Sequence, residues 1–242
     1  LTTSSCTSSG VNRCGHCRNV ADLSKPVLRE FSGTVADLHA LPMPTESESA
    51  ELWVMRPTGC AVVMGSSQRP DRFDEERLRN ENVALAPRRS GGGAVFIDPA
   101  STVWIDVLAP RSSQLWSSDL AENFLVVGRL WHKALRSVGI ETELCGESPA
   151  RTDAAALACW AGSGWGELLV GPAKIVGLSQ RRTRWGSRVQ TMAVVDGSSA
   201  RVVDYLMPQD RAKMRSAIPT HNLGIGTGSV EAAVLNVFGA TR

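Results

Sequence analysis

The chain has 242 residues, 43% of them hydrophobic and 21% charged, with a formal net charge of +2. Those proportions fit an ordinary globular protein with room for one large core or two small ones, and so mild a charge speaks against a dedicated nucleic-acid binder, which carries a basic stripe or domain. No apolar run approaches the roughly 18–20 residues that span a bilayer, and the polar opening Leu1 to Gly10 lacks the apolar segment of a secretory signal, so a cytoplasmic setting without membrane or nucleic-acid partners is expected.

In chain order, residues 1–25 are rich in Ser, Thr, Gly and Asn without periodicity and read as a disordered tail. Within them Cys14-Gly15-His16-Cys17 has the inner spacing of a zinc knuckle, but the second ligand pair is missing and only Cys6 is near, so no metal site is expected. All six cysteines (Cys6, Cys14, Cys17, Cys60, Cys145 and Cys159) are expected as thiols rather than as a disulfide framework. Val27 to Phe31 and Glu51 to Met55 have strand patterning, separated by a Pro- and Glu-bearing loop at 42–50. Ala61 to Met64 is a short buried strand, and Asp71 to Asn80 a charged helix entered after Pro70. Val83 to Leu85, Ala94 to Ile97 and Val103 to Leu108 continue the sheet.

The strongest helix runs from Asp119 to Val138, where Leu120, Phe124, Val127, Leu130, Trp131, Ala134, Leu135 and Val138 recur at helical spacing before Gly139. Strands follow at Glu167 to Val170, Ala173 to Ser179 and Val189 to Val195. Short helices around Val202 to Leu206, Gln209 to Ser216 and Val230 to Phe238 finish the chain. Strands neighbouring strands, with helices placed irregularly, predict an α+β fold with a mixed, largely antiparallel sheet flanked by helices.

Two stretches carry chemistry. In "RRSGGGAVF", residues 88–96, three glycines stand at the entrance of a strand they should weaken. A hairpin turn is one reading. The other is a bare backbone lying along a ligand, its N–H groups and the Arg88 guanidinium facing an anion. It is neither a P-loop nor a dinucleotide fingerprint. In "GPAKIVGLSQRRTRWGSR", residues 171–188, Lys174 follows a Gly-Pro turn that could present it into a cleft, or it is a solvated edge lysine. Arg181, Arg182, Arg184 and Arg188 form a solvated hairpin or a docking surface for an acidic partner. His39, His132 and His221 are scattered and suggest no Ser/His/Asp triad.

Together these stretches resemble the catalytic domain of the lipoate–protein ligase and octanoyltransferase family, related to biotin–protein ligases. The family pattern is roughly R-R-x-S-G-G-G-A-V-x-H, then G-R-K-[IV]-x-G-[ST]-x-[QY]. Ser90 to Val95 match, Arg88 falls on the second arginine and Lys174 on the essential lysine. The resemblance implies one catalytic domain over residues 26–242. It implies substrate-binding roles for Arg88, Ser90, Gly91, Gly92, Gly93, Ala94 and Gly177, with the glycine loop along the acyl chain and a Cβ there colliding with it. Lys174 would stabilise charge on the acyl carbonyl. Three departures remove polar groups: Pro87 replaces the first arginine, Ile97 the histidine, and Ala173 the arginine beside the lysine.

The scaffold hosts two chemistries. Ligases use ATP and Mg2+ to make an acyl-adenylate, whereas octanoyltransferases carry the acyl group on a cysteine. The Asn-Asp pair typical of ligases is replaced by Trp165-Gly166-Glu167-Leu168. Cys159 precedes Lys174 by fifteen residues, as in an octanoyltransferase branch with C-F-x-x-P-S-x-Y-E-L before the lysine; Cys159-Trp160 fits C-F and Glu167-Leu168 fits E-L. The expectation is therefore transfer of an octanoyl or lipoyl group through a Cys159 thioester, with no permanently bound cofactor. Acceptors would be lipoyl domains of 2-oxoacid dehydrogenases or the glycine-cleavage H protein, and an acyl carrier protein could be the donor. An ATP-dependent ligase working through lipoyl-AMP, a non-catalytic acyl- or carrier-binding domain, and Cys159 as a small buried hydrophobe stay open. At this length the chain would lack the extra C-terminal domain of long ligases.

Overall fold

Alternation of side chains along β2 (Glu51–Pro57) buries residues on both faces of one sheet: Leu52 and Val54 point to one side, Trp53 and Met55 to the other. The structure, a computed structural model, describes residues 25–148 and 152–240. Cys6, Cys14, Cys17 and all but the last residue of the expected tail lie outside the described residues.

Ten strands form two sheets among the described residues. The larger has the order β1 (Val27–Gly33), β2, β6 (Thr102–Pro110), β10 (Gly186–Val194), β9 (Ala173–Arg182), β8 (Leu168–Val170), β7 (Glu143–Leu144). The smaller is β4 (Ala84–Pro87), β3 (Ala61–Met64), β5 (Val95–Ile97). Only β1–β2 and β3–β4 pair in parallel; the other pairings are antiparallel. The expected mixed, largely antiparallel α+β architecture is what the chain forms.

One face of the large sheet is covered by α3 (Leu120–Ser137) and α6 (Thr227–Val237), whose Val127, Trp131, Val230 and Val234 are fully buried against Leu52, Val54, Ile105 and Val107. Asp119 starts α3 by accepting the Glu122 N–H. Trp131 resolves its buried indole N–H by donating to Thr191 Oγ1 at 2.9 Å. The other face packs on the small sheet, with Trp53, Met55 and Trp104 against Val62, Phe96 and Tyr205.

Several elements differ from expectation. The helix expected at 71–80 is a 3-10 turn, Pro70–Arg72, then α2 (Glu75–Asn80), because the Asp74 side chain accepts the Arg77 N–H and restarts the helix. The helix expected near Val202 is 3-10 throughout, Ser198–Tyr205. Those expected at 209–216 and 230–238 are α5 (Pro208–Met214) and α6. Two short helices had no periodic signal: α1 (Val35–Ala40), capped by Thr34, and α4 (Asp153–Leu157), capped by Thr152. No helix among the described residues is long and apolar enough to cross a membrane.

Candidate active site

The segment after α4 is held against the glycine loop by backbone pairing. Ala94 donates to the Leu157 carbonyl and accepts from the Cys159 N–H, both at 2.9 Å. Gln68, on the loop leaving β3, donates to the Ala156 and Leu157 carbonyls. Cys159 then opens a 3-10 turn, Cys159–Ala161. Here a cavity of about 590 Å3 lies between the glycine loop, α4, residues 162–165 and β9. A second, inner cavity of about 40 Å3 continues inward; Cys159, Arg88, Leu178 and Ser179 line both.

Lys174 enters from the start of β9 with its side chain 3% exposed, so the solvated edge-lysine reading does not hold. Its ammonium donates to both carboxylate oxygens of Glu167, at 3.1 and 3.0 Å, and to the Cys159 carbonyl at 2.6 Å. It lies 3.7 Å from Cys159 Sγ and 5.5 Å from the centre of the Trp160 ring. Burial alone would lower the Lys174 pKa, but the Coulombic pull and hydrogen bonds of Cys159 and Glu167 outweigh it and hold the group above its ordinary value. Glu167 in turn accepts the Gly164 and Leu178 backbone N–H groups, so one carboxylate positions the lysine, one cavity wall and β9.

The three glycines have separate physical reasons. A Cβ on Gly93 would stand 2.5 Å from the Ala155 carbonyl oxygen and 2.7 Å from the Ala158 backbone. Gly92 has φ +97°, a conformation that disfavours side chains. Around Gly91 there is open space. The backbone approaching Gly93 is therefore the protein's own. Arg88 Nη2 donates to the Gly91 and Gly93 carbonyls at 2.9 and 2.8 Å and so braces the loop from within.

Of the residues singled out in the sequence, Arg88, Gly91, Gly92, Gly93, Cys159 and Lys174 line the main cavity and Gly177 the inner one. Ser90, itself buried, donates at 3.2 Å to the Oγ of Ser179, which lines both cavities, and Ala94 is buried behind the wall, where it fixes Cys159. The arginine run divides. Arg182 donates to the carbonyls of Ser117, Ser118 and Asp119 before α3, and Arg188 is buried on Asp106 at 2.6 Å while binding the Leu38 and Leu41 carbonyls at the end of α1. His39, on α1, reaches the inner cavity, as do Trp160 and Gln190. Among the described residues Cys60, Cys145 and Cys159 are free thiols, and no group of three His, Cys, Asp or Glu side chains could hold a metal.

A family model described as "Lipoyl protein ligase A/B catalytic domain" matches residues 42–225. Over 164 residues the chain is 29% identical to lipoate-protein ligase A of Psychrobacter cryohalolentis, covering 67% of this chain but 40% of that protein. Solved structures share the fold. One is a lipoate protein ligase-type protein of T. acidophilum with bound lipoic acid (TM-score 0.68, 16% identity, 90% of this chain and 84% of that one). Another is a lipoate-protein ligase A bound with ATP (TM-score 0.64, 17% identity, 90% and 84%).

Proposed function

This chain belongs to the lipoyl protein ligase A/B catalytic-domain family, and we propose that it moves a lipoyl or octanoyl group onto a lysine of a carrier domain through a thioester on Cys159. The observation that carries this is the placement of the Cys159 sulfur, 3.7 Å from a buried ammonium, where the two cavities meet. Thiolates are the reactive form of cysteine and a neighbouring cation favours them. Lys174, its pKa held up, supplies that charge.

The chemistry balances without an outside energy source. The Cys159 thiolate attacks the carbonyl of an acyl thioester, such as one on acyl carrier protein. The donor's C–S bond breaks, and the departing thiolate takes the proton that Cys159 gave up. The ε-amine of the acceptor lysine then attacks the Cys159 thioester. An amide forms, the second C–S bond breaks, and the proton lost by the amine returns to the sulfur. Acceptors are lipoyl domains of 2-oxoacid dehydrogenases or the glycine-cleavage H protein.

An ATP-dependent route through lipoyl-AMP is the second reading, favoured by the similarity to lipoate-protein ligase A, one of whose solved structures binds ATP. Among the described residues the cations lining the main cavity are Arg88 and Lys174; the Lys174 ammonium and Arg88 Nη2 already serve protein acceptors. Pro87 and Ala173 offer no further charge for a triphosphate. That balance supports the thioester route, in which ATP and Mg2+ have no part. Incubation with a lipoyl domain and either octanoyl-carrier protein alone or lipoate plus ATP tests this by acceptor mass. The expected shift appears with the thioester donor in the absence of ATP; no shift with any donor would refute the family-level activity.

A further inference from the structure

The fold uses only part of the arginine run on the β9–β10 hairpin. Among the described residues every other arginine side chain binds a carboxylate or a backbone carbonyl, but those of Arg89, Arg111, Arg181 and Arg184 bind neither. Their positions are linked. Ser90, next to Arg89 in the glycine loop, is hydrogen-bonded to Ser179, which lines the main cavity. Arg181 follows Ser179 by two residues on β9 and so shares its face. Arg184 stands exposed in the turn between β9 and β10. Arg111, exposed just after β6, donates its backbone N–H to the carbonyl of Trp185, beside Arg184, and lays its guanidinium 5.6 Å from the centre of the Trp116 ring. The four therefore run from beside the main cavity to the hairpin tip.

Like charges gathered without acids repel one another, and an oppositely charged partner relieves that repulsion and is drawn to it. Glu46 and Glu48 flank Ser47, whose carbonyl accepts the Trp185 indole N–H, yet neither carboxylate pairs with any of the four. The patch is also separate from the family pattern. Arg89 falls on its variable residue, Arg111 lies between its two signatures, and Arg181 and Arg184 follow the second. Of the two carriers that the transfer reading requires, the acceptor offers a lysine, a cation until it loses its proton, which these arginines repel. A thioester donor on an acyl carrier protein hangs from a phosphodiester, so it brings negative charge towards the cavity. Resting on the acyl-transfer reading, we propose that Arg89, Arg111, Arg181 and Arg184 form the docking surface for the acidic carrier protein that delivers the acyl thioester.

Binding and transfer are read separately. Fluorescence anisotropy of dye-labelled acyl carrier protein, bearing its arm but no acyl group, gives an affinity for the full chain without turnover. Arg181→Glu and Arg184→Glu each weaken it about fivefold, and added salt weakens the parent more than the double variant. Arg136→Glu, at the other end of α3 from Arg182, leaves it unchanged. Acylation of Cys159 slows in the reversed variants when octanoyl-carrier protein is the donor, but not with octanoyl-pantetheine, which has neither protein nor phosphate. No binding of the carrier, an affinity unchanged by both reversals, or equal slowing with octanoyl-pantetheine would overturn the proposal. So would reversals that weaken binding of the lipoyl domain alone. Unchanged affinity with intact Cys159 acylation would remove the surface alone, whereas patch-dependent binding without Cys159 acylation would remove the transfer reading and keep the surface.

Discussion

Lys174→Met separates the structural and chemical roles of the buried ion pair. Methionine keeps most of the stem's volume but removes the ammonium. Glu167, 7% exposed, then keeps only the Gly164 and Leu178 N–H groups around a full charge. Removing one partner of a buried pair costs about 3–5 kcal/mol. For a domain of this size each kcal/mol moves Tm by about 2–4 °C, so Tm falls by about 6–20 °C. Adding Glu167→Gln removes the orphaned charge, but the new amide turns a donor towards one of the two backbone N–H groups, leaving a cost of about 1–3 kcal/mol. The double variant is thus about 2 kcal/mol more stable than Lys174→Met alone, yet equally inactive. Urea unfolding followed by tryptophan fluorescence measures both differences. The reasoning fails if Lys174→Met is as stable as the parent, or if the double variant is no more stable than the single one.

The glycine loop should respond position by position. Gly93→Ala, with backbone at 2.5 Å from the new Cβ, destabilises by about 1–3 kcal/mol through forced displacement, while Gly91→Ala, in open space, leaves the urea midpoint unchanged; equal effects at the two sites would contradict the packing account. His39 gives a pH signature. Its folded pKa of about 3 lies below its ordinary value of 6.5, so between those values the unfolded chain binds up to one more proton and stability falls as pH is lowered. His39→Leu flattens that part of a stability-against-pH curve; an unchanged slope would show that the ring titrates normally.

Much of this was legible from local pattern. The strand alternation at Leu52 to Met55 and the helical repeat of α3 each extend over enough residues to show a period, and Ser90 to Val95 with Lys174 form motifs that need no partner to be recognised. What escaped depends on contacts between distant segments. Helix α1 has six residues and buries only Val35 and Leu38, too few to display a 3.6-residue period, so His39 had no assigned place. Glu167 was read as the start of a strand and as half of a Glu-Leu pair, with no link to the lysine; the hairpin of β8 and β9 folds it back onto Lys174. The glycines announced a close approach, but the approaching backbone near Gly93, Ala155 to Ala158, lies some sixty residues further along and becomes its neighbour through the Ala94–Ala158 bridge and the Gln68 hydrogen bonds.

The most direct test is intact-protein mass spectrometry of the chain after incubation with an octanoyl or lipoyl thioester donor, without ATP and without an acceptor. The account predicts one acyl mass on Cys159, removed by hydroxylamine, absent from Cys159→Ser, and passed to the acceptor lysine when a lipoyl domain is added. An unmodified Cys159 together with full, strictly ATP-dependent transfer by Cys159→Ser would contradict it.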